Sequence, residues 1–197
     1  MLHAEVSRTL LDVATPRGAT ARWLIPAAAA VFGVCLLTLS AKIQVPFWPV
    51  PMTLQTLVVL MLGMACGSRL AAGTVLAYLA AGAAGLPVLA GTPERGIGLA
   101  YMMGPTGGFL VGFLLAACIV GLLAERGWDR SFLKCVAAMV LGHVTITLAG
   151  LAWLAVLLGT PKAIELGLMP FLASSALKTA LGAVSMPMLW RLLHEGR

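Results

Sequence analysis

Six apolar runs, most of them close to bilayer-spanning length, follow one another along this chain with only short polar breaks. They occupy about residues 23–41, 53–67, 70–90, 106–124, 135–158 and 170–193. About 20 helical residues cross a hydrocarbon core, and a helix satisfies its own backbone there. A soluble fold could not cover so much apolar surface: 60% of the residues are hydrophobic, 10% are charged, and the mean hydropathy is +1.00. The expected fold is an all-α membrane protein of six transmembrane helices, multi-pass in the cell membrane and bathed in lipid. The second run, Thr53 to Gly67, is short and starts with polar Thr53, Gln55 and Thr56. It is expected to span by tilting, or by continuing upward through the loop before it.

The first 22 residues carry Glu5, Arg8, Asp12, Arg17 and Arg22 without an apolar core or a small-residue cleavage site, so they read as a cytoplasmic tail. Residues 23–194 read as a single transmembrane domain. Orientation follows from the basic residues. Arg8, Arg17, Arg22, Arg69, Arg126, Arg130, Lys134, Arg191 and Arg197 fall on one side, against Lys42, Arg95 and Lys162 on the other. Both termini are therefore expected to be cytoplasmic. The net charge of +6 is thereby mostly a topology signal, and without a soluble basic domain nucleic acid is not an expected partner. Cys35, Cys66, Cys118 and Cys135 form no metal-type pair and read as packing residues, so no metal site is expected.

Lys178 lies inside the last apolar run. A lysine at the centre of a membrane helix costs about 2.5–3.5 kcal/mol, so it is kept where water, an internal anion or a ligand meets it. Eight residues separate it from Pro170, which puts its ammonium in the outer half of the span, within reach of the external loops. A carboxylate-bearing substrate is the expected partner of that charge; the alternative is a lysine that merely snorkels. Two external loops are marked. One runs Val45-Pro46-Phe47-Trp48-Pro49-Val50-Pro51-Met52-Thr53-Leu54-Gln55, stiffened by three prolines; the other, Gly85 to Gly108, is glycine-rich and nearly uncharged.

Ser175 and Lys178 form an S-x-x-K pair on one helix face, a spacing also found in serine acyl-enzymes. No SDN or KTG companion occurs and the pair lies in a span, so no enzyme activity and no catalytic residue is expected. His143, with Thr145 and Thr147, is the remaining polar patch within a span, and packing is favoured over a ligand role for it. No GxxxxGK[ST] phosphate loop exists, so any ATP-derived energy has to come from a partner. Small-residue ridges at Ala29/Gly33, Gly63/Gly67 and Gly104/Gly108/Gly112 suit either internal packing or a partner subunit.

Over about residues 24–193 the chain resembles the BioY family, the biotin-specific S components of energy-coupling-factor (ECF) vitamin transporters. The segments that carry the resemblance are Val50-Pro51-Met52-Thr53-Leu54-Gln55-Thr56-Leu57, Gly85-Leu86-Pro87-Val88, Gly104-Pro105-Thr106-Gly107-Gly108-Phe109-Leu110-Val111-Gly112-Phe113, and Pro170-Phe171 followed by Lys178. The resemblance implies an S-component bundle whose outward-facing pocket holds biotin under the two marked loops, with Lys178 on the carboxylate. It implies substrate contacts from Ser175, Thr53, Gln55, Trp48, Tyr101, Phe171, Gly104 and Thr106, and no cofactor. It also implies a transmembrane coupling subunit with two cytoplasmic ATPases as partners, met through Ala29 and Gly33, although some family members work without a dedicated module. One position departs from the family pattern: the Asp three residues before the lysine, which binds the ureido ring, is Ser175 here, and Ala173-Ser174 replace Pro-Gly. Either Gln55, Thr53, Tyr101 or a backbone carbonyl takes that role, or biotin binds more weakly, or the ligand is another small carboxylate. A non-transporting membrane scaffold is the remaining alternative.

Overall fold

The computed structural model describes residues 9–14, 20–46 and 48–195. Residues 1–8 and 15–19 of the expected tail, Phe47 of the proline loop and Arg197 of the C-terminal basic group lie outside the described residues. The elements run α1 (Leu10–Ala14), α2 (Ala21–Lys42), β1 (Gln44–Val45), β2 (Met52–Thr53), α3 (Gln55–Ala83), α4 (Gly98–Met102), α5 (Gly107–Ala124), α6 (Phe132–Leu158), α7 (Thr160–Gly167) and α8 (Met169–Glu195).

Among the described residues five apolar stretches are long enough to cross a membrane, and six spans arise because α3 is two helices in one. Its break is at Gly67, whose φ of 78° and ψ of 173° belong to a region open essentially to glycine alone. The chain reverses there. In one straight helix Gln55 and Tyr78 would stand about 35 Å apart, yet Gln55 Nε2 donates to Tyr78 Oη at 2.7 Å. Leu62 and Thr74, on opposite arms of the hairpin, both face Gly33 of α2.

The short second span does not continue into the loop before it. That loop instead forms a small antiparallel pair, Gln44 with Thr53 and Val45 with Met52, which delivers Thr53 to the start of α3. The third span ends at Ala83, earlier than the apolar run to residue 90, because Gly85 adopts a positive φ of 91° and Pro87 follows. The connection after α6, which hydropathy leaves as a loop, carries the amphipathic helix α7, folded back with Ala163 and Gly167 buried.

Helix α5 sits between α3 and α6. Close approach on both sides is set by its small residues. A methyl at Gly108 would collide with Trp153 and the Ala149 carbonyl of α6, and one at Gly121 with the backbone of Gly67 and Ser68. The ridges at Gly63/Gly67 and Gly108/Gly112 thus serve internal packing. So does Gly33, expected to face a partner: it is buried against Leu62 and Thr74, and Ala29 one turn earlier is half-buried. The outward face of α2 consists instead of large apolar side chains, Trp23, Leu24, Val31, Phe32 and Leu39.

Candidate functional site

The end of the bundle that holds the proline loop, the glycine-rich loop and α7 encloses a cavity. Its walls come from four places: the loop and first turn of α3 (Val50, Pro51, Thr53, Gln55, Thr56), the stretch before α5 (Ala90, Tyr101, Thr106), the start of α5 (Phe109, Leu110, Phe113), and the facing halves of α6 and α8 (His143, Ile146, Thr147, Phe171, Ser175, Lys178). Helices α3 and α5 both begin here, so their unpaired amides and dipoles add positive potential to the cavity.

Among the described residues of the lining, Lys178 is the one charged group and there is no Asp or Glu. Only 7% of the residue is exposed. Its Nζ donates to the Thr53 carbonyl oxygen at 2.6 Å and to Thr56 Oγ1 at 2.9 Å. An ammonium has three protons, and these two neutral acceptors use two of them. The remaining proton and the uncompensated charge suit an anion, because a charge buried without a counter-ion gains most from one that arrives.

Part of the wall is aromatic. Phe109 and Phe171 stack with centroids 5.8 Å apart and an interplanar angle of 26°, a flat apolar surface against which a ring can lie. Gln55 spends both amide hydrogens inside the protein, on Tyr78 Oη and on the Leu37 carbonyl at 3.3 Å, leaving the carbonyl oxygen as its remaining polar atom. Burial pushes the Tyr101 phenol up from its ordinary value, while a hydrogen bond with Thr106 and the charge of Arg95 pull the other way. The phenol therefore keeps its proton at neutral pH and can donate.

The loops over this end are tied down. Lys42 Nζ donates to the carbonyls of Leu89 at 3.0 Å and Thr92 at 3.1 Å, pinning the glycine-rich loop to the end of α2. Arg95 Nη1 reaches the Pro49 carbonyl at 3.4 Å, linking that loop to the proline loop.

Of the residues singled out from the sequence, Lys178, Ser175, Thr53, Gln55, Tyr101, Phe171 and Thr106 all line the cavity. Trp48 and Gly104 do not. Trp48 is 71% exposed on the outside of the proline loop, and the Gly104 carbonyl accepts a hydrogen bond from Trp153 Nε1 at 2.9 Å, a contact between the α5 approach and α6. Sequence reasoning left Thr56 out of the site and set the patch of His143 and Thr147 aside in favour of packing. Thr56 belonged to a marked motif, whereas the place of His143 depends on how α6 rotates. Thr145, its neighbour, points away and bonds back to the Leu141 carbonyl at 2.8 Å. A second, apolar groove between α6 and α8 shares His143, Thr147, Phe171 and Ser175 with the cavity, so the wall there is one side chain thick.

Comparison with known proteins agrees with this architecture. The family model described as the BioY family matches residues 14–195. The chain is 36% identical over 151 residues to the probable biotin transporter BioY of Pyrococcus horikoshii, covering 77% of this chain and 87% of that one. It is 38% identical over 160 residues to the biotin transporter BioY of Rhizobium etli, covering 77% and 83%. Among solved structures, the S component for biotin from an ECF-type ABC transporter superposes with a TM-score of 0.75 over 89% of this chain and 95% of the other, at 23% identity, which speaks to the fold. A match over nearly the whole chain, on a bundle of the same shape, leaves one assignment: this multi-pass membrane protein belongs to the BioY family.

Proposed function

We propose that this protein is the membrane-embedded binding component for biotin uptake, with residues 23–194 as the substrate-binding unit and residues 1–22 on the cytoplasmic side. One observation carries the reading. Lys178 presents a desolvated positive charge with a spare proton to an acid-free cavity that has an aromatic wall, in a chain whose relatives are named biotin transporters. Biotin combines a carboxylate on an apolar chain with a compact ring system, which fits a cation at one place and stacked phenylalanines at another. The cavity lies at the end away from Arg69, Arg126, Arg130 and Lys134. With that basic end in the cytoplasm the mouth faces outward and both termini face inward.

Binding alone moves nothing across a membrane. The energy source we propose is an ECF-type coupling subunit with two cytoplasmic ATPases, docked on the outward apolar face of α2. Support comes from the exposed Val31 and Phe32, each 66% exposed, on a helix that contributes little to the internal core. Isothermal titration of the purified protein tests the ligand. Biotin is expected to bind with at least micromolar affinity, about −8 kcal/mol; no heat of binding removes the biotin assignment. The acid-free lining favours a second candidate, another small carboxylate, and a panel of such compounds read by thermal shift separates the two.

A further inference from the structure

His143 lines the cavity and is 6% exposed. Its Nδ1 lies 3.0 Å from the Met139 carbonyl oxygen, an atom that can only accept, so Nδ1 carries the hydrogen. Thr179 Oγ1 sits 3.3 Å from the same nitrogen and holds the ring from the α8 side. In the neutral imidazole the other nitrogen, Nε2, is then a bare acceptor. Nε2 is buried and has no hydrogen-bond partner among the described residues. The other such buried side-chain atom, Asp129 Oδ1, is not part of the cavity lining.

A buried acceptor left unpaired is costly, and native proteins seldom keep one without a use. None of the nearby donors on the cavity wall, the Lys178 ammonium, the Tyr101 phenol or the Thr147 hydroxyl, reaches it. The residues that line the cavity therefore include a fixed cationic donor, Lys178, and a histidine, His143, whose Nε2 no described residue uses. The complement of such a lining is a molecule with an anion and, on a separate part, an N–H donor. We propose that His143 Nε2 accepts a hydrogen bond from a ring N–H of the ligand, and that His143 is thereby a specificity-determining residue. This rests on the biotin reading, in which the donor is a ureido N–H. A site built around such a bond rejects analogues that lack the donor, because the acceptor is then left dry and unpaired.

The test sets three ligands against four proteins, titrated calorimetrically on the full chain: biotin and its two derivatives methylated on one or the other ureido nitrogen, against wild type, His143→Leu, His143→Phe and His143→Gln. Wild type is expected to favour biotin. In His143→Leu the affinity for biotin drops by about 10- to 100-fold, while one of the methylated derivatives loses far less, so that the ratio between the two ligands falls toward one. His143→Gln restores an acceptor oxygen and recovers part of the loss. His143→Phe is run beside His143→Leu, so that a poorly folding variant does not decide the matter. Unchanged biotin affinity in the apolar variants, or an equal loss for biotin and both methylated ligands, overturns the role of His143 and leaves the biotin assignment standing. Failure of the wild type to bind biotin removes that assignment and the role of His143 with it.

Discussion

The Lys178 ammonium lies 2.6 Å from the carbonyl oxygen of Thr53, joining the middle of α8 to the entrance of α3 across 125 positions of sequence. The pairing holds Lys178 in place before any ligand arrives, so little side-chain entropy remains to be lost on binding. Replacing Lys178 by Met, which keeps most of the volume and removes the charge, is expected to weaken binding of a carboxylate ligand by roughly 10- to 100-fold. Lys178→Arg should lose less. Titration calorimetry reads both, and unchanged affinity in the methionine variant would show that the anion sits elsewhere.

Gly67 is expected to tolerate no side chain. Its backbone conformation is one that costs about 1–3 kcal/mol for other residues, and an added methyl would also meet Thr9 and the Glu125 side chain. Gly67→Ala should lower the melting temperature of the detergent-solubilised protein measurably, without altering any group in the cavity. Equal melting of variant and wild type would contradict the hairpin.

The contact between α5 and α6 predicts a different pattern. Gly108→Ala forces Trp153 and the Ala149 carbonyl away, an overpacking of about 1–3 kcal/mol next to the cavity wall at Phe109. Both thermal stability and ligand affinity should fall. A loss of stability with affinity fully preserved would mean that the wall does not depend on this approach.

Asp129, in the 3-10 turn Trp128–Arg130 between α5 and α6, is fully buried. Burial raises its carboxyl above the ordinary 3.8, although the Trp190 indole N–H at 2.6 Å and the Arg130 charge act the other way. The folded state therefore holds this proton more tightly than the unfolded one. Its contribution to stability is complete below about pH 4 and is lost as pH rises through the folded-state value. Asp129→Asn keeps an acceptor for Trp190 and never ionises. The variant should melt higher than wild type near pH 7, with the difference closing as the pH is lowered toward 4; a constant difference would exclude the mechanism.

Much of this structure could be read before any coordinates, because membrane insertion is decided by local hydrophobicity. The six runs became six spans, Arg69 fell at the reversal between the second and third, and Lys178 with Ser175 three residues before it shared one face of α8. The paired motifs at Thr53–Gln55 and Thr106–Phe109 met at the cavity for the same reason, since each opens a helix. What stayed hidden depended on rotation about helix axes and on packing partners. Nothing in sequence spacing says whether Gly33 faces a neighbour in the bundle or the lipid outside it, that Trp48 turns outward, that the Gly104 carbonyl is spent on Trp153, or that His143 lies in the cavity wall. The helix α7 was missed because its apolar face is one stripe on a polar segment, which an average over a window erases.

The reversal at Gly67 also makes each of the two arms it joins short. Residues 55–66 rise about 18 Å and residues 68–83 about 24 Å, against a hydrocarbon layer of about 30 Å. Residues 55–66 include no exposed position, so the shorter arm is enclosed by its neighbours α2, α5 and α8. A segment too short to cross a bilayer by itself is thus carried inside the bundle, where its ends meet protein and not lipid.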